Sequence, residues 1–152
     1  VQEDLNAAVT LTFTPTTSTA VLRGDDVKKV EYTSVSGGEA TLSAGGYSSA
    51  ALAIMTGETL VIATASPNET TTFDINEGDV WPSFKIYGMA YDKNGGAVQV
   101  LLGNCTVTSF GDFTMQDEEF MMTGITVGVS ADSNGRIARI IQQETAATLP
   151  TS

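Results

Sequence analysis

The chain of 152 residues contains no histidine and a single cysteine, Cys105. Without histidine, the Ser-His-Asp and Cys-His catalytic arrangements cannot form, and most kinds of zinc site are excluded. One cysteine cannot close a disulfide within the chain, and its strand-like surroundings predict a small buried side chain. Paired acids remain, but consecutive acids in loops are usually solvated. We therefore predict no enzyme, no catalytic residues, no metal site and no cofactor.

Basic residues are also scarce, with 7 Lys and Arg against 18 Asp and Glu, so the formal net charge is −11. Such a chain repels nucleic acid rather than binding it. No apolar run approaches the ~20 residues that a membrane-spanning helix needs, and we expect no membrane partner. An acidic surface also keeps a protein soluble. The net charge therefore fits both roles, repulsion of nucleic acid and solubility.

What the sequence does have is Thr, Ser, Gly and Val, the composition of pleated and half-buried surfaces. We predict one domain over residues 1–152 that is mostly β, a β-sandwich or open β-barrel with one short α-helix and long loops. We predict that residues 1–8 form a flexible N-terminal arm and residues 142–152 a C-terminal tail. Alternation and turn residues predict strands at 9–14, 27–34, 39–43, 59–64, 71–75, 82–91, 97–102, 105–109, 125–130 and 137–140.

Three connections in this plan carry specific expectations. Residues 15–26 are rich in Pro, Thr and Ser and are predicted to form a long loop. Residues 110–121 are predicted to be an acidic loop or irregular segment. The sequence Asp-x-Asn-Gly occurs at 92–95 and again at 132–135, and each copy predicts a tight turn that joins two strands in a hairpin. The same turns account for the fragments of a calcium-loop pattern that these residues form.

One segment, residues 47–56, is predicted to be a helix. Ser48 or Ser49 can cap its N-terminus, and Gly57 is placed to end it in the left-handed conformation. Leu52 and Met55 share one face of this helix and are predicted to pack against the sheet as its core contact.

The order of patterns in the second half resembles a known family. A strand opens with Pro82, an aromatic residue and Gly88, and is followed by the turn at 92–95. A Val-Thr-Ser segment at 107–109, an acidic loop at 115–120, and a final strand with its turn at 132–135 complete the series. Over residues 9–141 the chain resembles the tail tube protein, or major tail protein, of long-tailed, flexible-tailed bacteriophages.

This resemblance implies a structural virion protein, made in the host bacterial cytoplasm, that forms hexameric rings stacked into a hollow tail tube. The rings contact other tail proteins, and DNA passes through the lumen into the host without specific binding. Six subunits would supply about 24 strands. At ~4.8 Å spacing and ~40° tilt, these strands form a cylinder with a backbone diameter of ~45–50 Å. Side chains leave a bore of ~30–40 Å, which a carboxylate lining would keep from holding DNA.

Within such a tube, acids on strands are the candidates for the bore lining, because a strand fixes the direction of its side chains. These acids are Glu31, Glu39 and Asp74. The loop acids Asp117, Glu118 and Glu119 are candidates for a contact between rings.

Other readings stay open: a capsid decoration protein, a tail terminator, or a bacterial surface or adhesin β domain. In the adhesin reading the Arg23-Gly24-Asp25 tripeptide would bind a receptor.

Overall fold

The computed structural model describes residues 8–24, 27–44, 47–63, 70–116, 119–122 and 124–145. The predicted fold class is confirmed, since the described residues are mostly strand with one short helix, and the main sheet curls into an open half-barrel. The elements in order are β1 Ala8–Gly24, β2 Val27–Ala44, α1 Ser49–Thr56, β3 Val61–Ala63, β4 Thr70–Thr72, β5 Phe84–Tyr91, β6 Ala97–Ser109, β7 Phe113–Gln116, β8 Glu119–Met122, β9 Ile125–Ser130 and β10 Ala138–Gln143.

Strand β6 organises the main sheet, which runs in the order β1-β2-β9-β6, with β5 and β10 completing it. Leu102 of β6 pairs with Ile86 of β5 and also with Ala138 of β10, so β5 and β10 lie on opposite edges of β6. Cys105 likewise pairs with β5 and with Val129 of β9. Strands β9 and β10 therefore follow one another along the same edge of β6, and all pairs are antiparallel.

This arrangement corrects the prediction of a hairpin at 125–140, because β9 and β10 do not pair with each other in the described sheet. The turn is present: Asp132 N donates to Arg136 O at 2.9 Å, and Gly135 has φ 75°. The ladder then resumes where Gly103 N donates to Ile137 O at 3.0 Å. Residues 131–137 are thus an excursion within one interrupted strand. The matching turn at 92–95 does join a hairpin, β5 and β6.

The predicted loop at 15–26 is also wrong for its described part, because β1 continues to Gly24 and pairs with β2 along its length. Pro15 pairs with Gly38 inside this strand. Proline has no N–H to donate, but β1 has β2 as its one described neighbour, so the missing donor lies on the edge that needs none. The two strands predicted at 27–34 and 39–43 are one strand, β2. Asp25 and Asp26 lie outside the described residues.

The core lies on one face of the main sheet. Alternate residues of β2 and β9 point into it, among them Ala40, Leu42, Ile125 and Val127. Leu11 of β1 reaches Gly88 of β5 across the interior, where a Cβ on Gly88 would lie 3.3 Å from the Leu11 side chain. The first and last strands of the curled sheet therefore touch without pairing. Leu102, Cys105, Val107, Val129 and Met55 complete the buried cluster.

Helix α1 covers this core, as predicted, and both of its ends follow from the sequence. The Ser48 side chain accepts a hydrogen bond from Ala51 N at 3.1 Å, and Gly57 ends the helix with φ 78°. Met55 is only 5% exposed and belongs to the core cluster, whereas Leu52 is half-buried at its margin. The helix prediction is confirmed, with Met55 as its main contact.

The remaining segments differ from their predictions in burial or extent. Strand β3 covers only part of the strand predicted at 59–64; it is exposed and pairs with β4, which lies partly in the segment predicted at 71–75. The segment predicted to be an acidic loop contains the β7–β8 hairpin. The predicted tail is shorter than 142–152, because β10 runs through Gln143, whose Oε1 accepts from Gln99 Nε2 at 3.4 Å. Residues 1–7 of the arm and 146–152 of the tail lie outside the described part.

Candidate assembly surface

The feature of this structure with the clearest functional meaning is a two-stranded ribbon, residues 16–24 of β1 and 27–37 of β2. Strand β2 pairs with β9 only from Gly38 to Leu42, so the ribbon has no further neighbour in the described sheet. At about 3.3 Å per residue, residues 16–24 extend roughly 30 Å. All ribbon residues whose exposure is described are exposed, except Gly37 at the base, which is half-buried.

Two glycines and a bulge set the point where the ribbon leaves the sheet. A Cβ on Gly38 would collide with the Phe13 ring, and a Cβ on Gly37 would lie 3.1 Å from Val129 O. The register then shifts between Thr16 and Thr17, which leaves one extra residue on β2. A bulge of this kind bends a strand and increases its twist. The glycines and the bulge together allow β2 to turn away from β9. Strand β10, which follows β9 along the same edge of β6, therefore has β6 as its one described partner.

One face of the ribbon carries a continuous apolar patch. Paired residues of an antiparallel ladder point to the same side, and Leu22 pairs with Val30 while Ala20 pairs with Tyr32. Leu22 is 61% and Tyr32 is 65% exposed. These four residues, Ala20, Leu22, Val30 and Tyr32, are called the ribbon patch below.

The opposite face of the ribbon has isolated apolar residues instead. Val21 pairs with Glu31, and Val35 pairs with Thr17. Each valine is exposed but has a polar or charged residue across from it. Both faces of the ribbon therefore carry apolar residues, but only on the face of the ribbon patch are they paired with each other.

The sheet body also presents a hydroxyl-rich outer face. On β1, β2 and β9 the residues that alternate with the core point outward, and one row across the three strands consists of Thr12, Thr41 and Thr126. The next row holds Thr14 and Glu39. These five residues are exposed or half-buried. This surface, called the hydroxyl face below, contains also Thr10, Ser43, Thr106, Thr108 and Ser130.

The four-stranded block β1-β2-β9-β6 has a free edge on each side. Strand β1 pairs with β2 alone among the described strands. On the other side β5 begins at Phe84, opposite Cys105, so residues 106–109 of β6 have β9 as their one described neighbour. Unpaired strand edges present N–H and C=O groups to any chain that can pair with them.

The three acids predicted for a bore lining are not brought together. Glu39 lies on the hydroxyl face, beside Thr14. Glu31 lies on the ribbon and pairs with Val21, whereas Glu39 pairs with Thr14. Val21 and Thr14 are seven residues apart on β1, so they point to opposite sides of the strand, and so do the two acids. Asp74 is not on a strand at all, since β4 ends at Thr72. The prediction that Asp74 is a strand acid is wrong.

The acids predicted for a ring contact fall mostly outside the described structure. Asp117 and Glu118 lie outside the described residues. Glu119 begins β8 and pairs with Gln116, so it is a strand residue rather than a loop residue.

Four ionisable groups among the described residues have shifted pKa values, each for a local reason. Burial raises the pKa of Tyr47. Burial raises the pKa of the Cys105 thiol to about 11, which makes it an unreactive core residue, as predicted. The carboxylate of Asp79 raises the pKa of Glu58 by repulsion, with a smaller contribution from Asp74. The backbone N–H of Arg136 lowers the pKa of Asp132, assisted by Asn134.

The described residues hold no group of three or more His, Cys, Asp or Glu side chains placed to bind a metal ion. Within the same part of the chain no helix is long and apolar enough to cross a membrane. No family model matches the chain, and no curated protein matches it. The geometry therefore carries the functional argument by itself.

Sequence reasoning missed the ribbon patch because it placed residues 15–26 in a loop. A signal was present: Val30 and Tyr32 alternate within a predicted strand, and Ala20 and Leu22 have the same spacing in the segment before it. Two such runs joined by a short polar segment indicate a hairpin. The proline and the Thr-rich composition outweighed this signal in the prediction.

Proposed function

We propose that this protein is a structural subunit that assembles with copies of itself into stacked rings, as tail tube proteins of flexible-tailed bacteriophages do. The observation that carries the proposal is the ribbon. A two-stranded ribbon is at best marginally stable in water, and this one exposes an apolar patch that includes Leu22 and Tyr32. Burial of the ribbon patch against a second copy would stabilise both the ribbon and the assembly.

The two free edges of the four-stranded block support a ring. If β1 of one copy pairs with residues 106–109 of β6 in the next, the contact joins two different surfaces of the same chain. Such head-to-tail contacts close into rings when the rotation allows it. Six copies that each supply four strands would give the inner barrel implied by the resemblance to tail tube proteins.

The hydroxyl face supports the assignment of the bore. In this ring the core face carries helix α1, so the opposite face of the block is left for the lumen. Its side chains are mostly Thr and Ser, and Glu39 is its one acid among the described residues. A neutral to acidic lining offers no cation to phosphate, so DNA would pass without being held. The site of action would be the virion tail, with other tail proteins at the tube ends.

The experiment that tests this proposal compares two pairs of substitutions on the ribbon. Leu22→Ser with Tyr32→Ser removes the two most exposed side chains of the ribbon patch. The control, Val21→Ser with Val35→Ser, removes two exposed apolar side chains from the opposite face. We expect the first pair to abolish rings in sedimentation velocity and negative-stain images while the second pair assembles as the unsubstituted chain does. If the Leu22/Tyr32 variant forms rings at the same protein concentration as the unsubstituted chain, that result would contradict the proposal.

An adhesin is the second candidate, and one observation favours it. Arg23 is exposed at the far end of the ribbon, followed by Gly24, where β1 ends. A receptor-binding tripeptide at the end of a projecting hairpin would be accessible. Attachment of cells to immobilised protein, lost on Asp25→Glu, together with a monomer at all concentrations, would favour this function. Trimers that bind capsid shells would instead indicate a decoration protein.

A further inference from the structure

The excursion at 131–137 builds a cleft together with β5 and β6. Gly103 lies beneath the excursion, and a Cβ there would lie 2.7 Å from Arg136 O and 3.2 Å from the Asp132 Cβ. The missing side chain therefore lets the turn approach the strand. Two adjoining cavities of about 110 and 370 Å³ open beside it, and both are lined by Lys85, Gly103, Asp132 and Arg136.

This cleft concentrates the rare positive charge of the chain. Lys85, Arg136 and Arg139 all line it, three of only 7 Lys and Arg residues against 18 acids. Asp132 lies 3.4 Å from Arg136 and neutralises it in part. No ion pair with a described carboxylate is present for Lys85 or Arg139, and Arg139 is exposed. The cleft therefore has unused capacity for a carboxylate ligand.

A second surface of the same chain has the opposite character. Glu58 follows the end of α1, and Asp79 lies in the turn at 76–79, where its Oδ2 accepts from Asn76 N at 2.6 Å. A Cβ on Gly57 would lie 2.9 Å from Pro82 Cδ, which places Glu58 beside the segment that carries Asp79 and Asp74. Repulsion by these two carboxylates, that of Asp79 first, raises the pKa of Glu58. No cation contributes to that shift, and residues 57–84 contain no Lys or Arg.

We propose that the cleft lined by Lys85, Arg136 and Arg139 receives the carboxylates of Glu58, Asp74 and Asp79 from a second copy of this chain. Among the described residues, Lys85 and Arg139 have no carboxylate partner and the three acids have no cation partner, so each patch supplies what the other lacks. Opposite charges across an interface favour the correct partner and register. The inference rests on the proposed self-assembly and names its electrostatic contact. Because the patches are different surfaces, the contact is head-to-tail and extends to rings.

Reciprocal charge reversal tests this contact in the full chain. Lys85→Glu with Arg139→Glu makes the cleft acidic, and Glu58→Lys with Asp79→Lys makes the acidic surface basic. We expect each variant alone to need at least ~10-fold more protein to assemble at 0.05 M salt, because like charges then meet in every contact. A 1:1 mixture should assemble as the unsubstituted chain does, since each reversed surface meets its complement on the other variant.

The controls separate this contact from the proposed function and from misfolding. Lys93→Glu reverses a cation outside the cleft and should leave assembly unchanged. If a reversed variant loses its cooperative unfolding transition, Lys85→Gln with Arg139→Gln replaces it, with a smaller expected loss. Assembly of the unsubstituted chain should weaken at 1 M salt, where the Debye length falls to ~3 Å.

Three results would overturn the inference. Unchanged assembly of the cleft variant at low salt would show that the cleft makes no contact between copies. Failure of the 1:1 mixture, with both variants folded, would show that these acids do not occupy the cleft. Assembly that does not respond to salt would exclude a contact of exposed charges. A failure of the unsubstituted chain to assemble at any concentration would instead contradict the proposed function itself.

Discussion

At the scale of single residues, Asp132 shows how one carboxylate orders a whole excursion of the chain. Its Oδ1 accepts from the backbone N–H groups of Asn134 and Arg136, at 2.8 and 2.9 Å. These hydrogen bonds exist only for the folded turn and favour the ionised carboxylate, and for that reason the pKa of Asp132 is lowered. Since the same turn forms the cleft beside Gly103, Asp132 is a positioning residue for that surface.

The lowered pKa predicts how the stability of the chain depends on pH. A carboxyl group whose pKa is lower folded than unfolded contributes stability above its unfolded pKa, ~3.9, and loses it as pH falls through the folded value. We therefore expect Asp132→Ala to unfold at lower urea concentration than the unsubstituted chain at pH 7. Below about pH 4 the difference in urea midpoint between the two chains should shrink. Urea denaturation of both chains at a series of pH values measures it. A constant difference down to pH 2.5 would mean that the charge of Asp132 has no part in it.

Helix α1 shows what a short element gains from its ends and its one buried face. Ser48 and Gly57 supply the two caps, and Met55 is the helix residue in the core cluster. Eight residues are too few for a stable helix in isolation, so packing against the sheet must hold this one. The energetic weight of the helix should therefore be concentrated at Met55.

This concentration can be measured by comparing two substitutions in urea denaturation. We expect Met55→Ala to lower the free energy of unfolding by ~2–5 kcal/mol, since it empties a closed core site. Leu52→Ala, at the half-buried margin, should cost only about 1–2 kcal/mol. Equal losses for the two variants, or a Met55→Ala loss below about half a kcal/mol, would mean that the helix does not close the core.

Among the elements, the sequence predicts those whose signals are local and misses those that depend on distant partners. The helix is predictable because its capping residues lie beside it in the sequence. Alternation predicts most of β6, but as two strands at 97–102 and 105–109 where the structure has one, Ala97–Ser109. The turns at 92–95 and 132–135 share Asp, Asn and Gly and the same backbone hydrogen bond, Gly95 N to Asp92 O and Gly135 N to Asp132 O. One joins a hairpin and the other interrupts a strand, because β6 supplies the partner for both β9 and β10.

Pro15 and Asp74 illustrate the same limit for the candidate site. A proline usually ends a strand, but at the sheet edge its missing N–H has no cost, and only the strand order reveals that β1 is an edge. Asp74 follows three threonines of high β propensity, yet the strand stops at Thr72. The cleft was likewise hidden from the sequence, because Lys85 is brought to Arg136 by pairing between strands.

At the scale of the whole molecule, the fold has a well-packed body and surfaces that the body leaves unused. The core is closed by Ile125, Leu102 and their neighbours, all nearly inaccessible to solvent. The ribbon lies outside that core, and the backbone edges of β1 and β6 and the charged side of the cleft are left without a partner among the described strands. These surfaces are the ones that the proposed assembly with other copies would use, and the net charge of −11 fits the proposed tube through which DNA moves.

The measurement that tests this account most directly is electron cryo-microscopy of the full chain at increasing concentration. The account predicts six-fold rings that stack into tubes, with each ribbon packed on a neighbouring copy and the hydroxyl face, including Glu39, toward the lumen. A chain that remains monomeric up to millimolar concentration, with its ribbon solvated, would contradict the account. So would a ring in which the ribbon patch faces solvent.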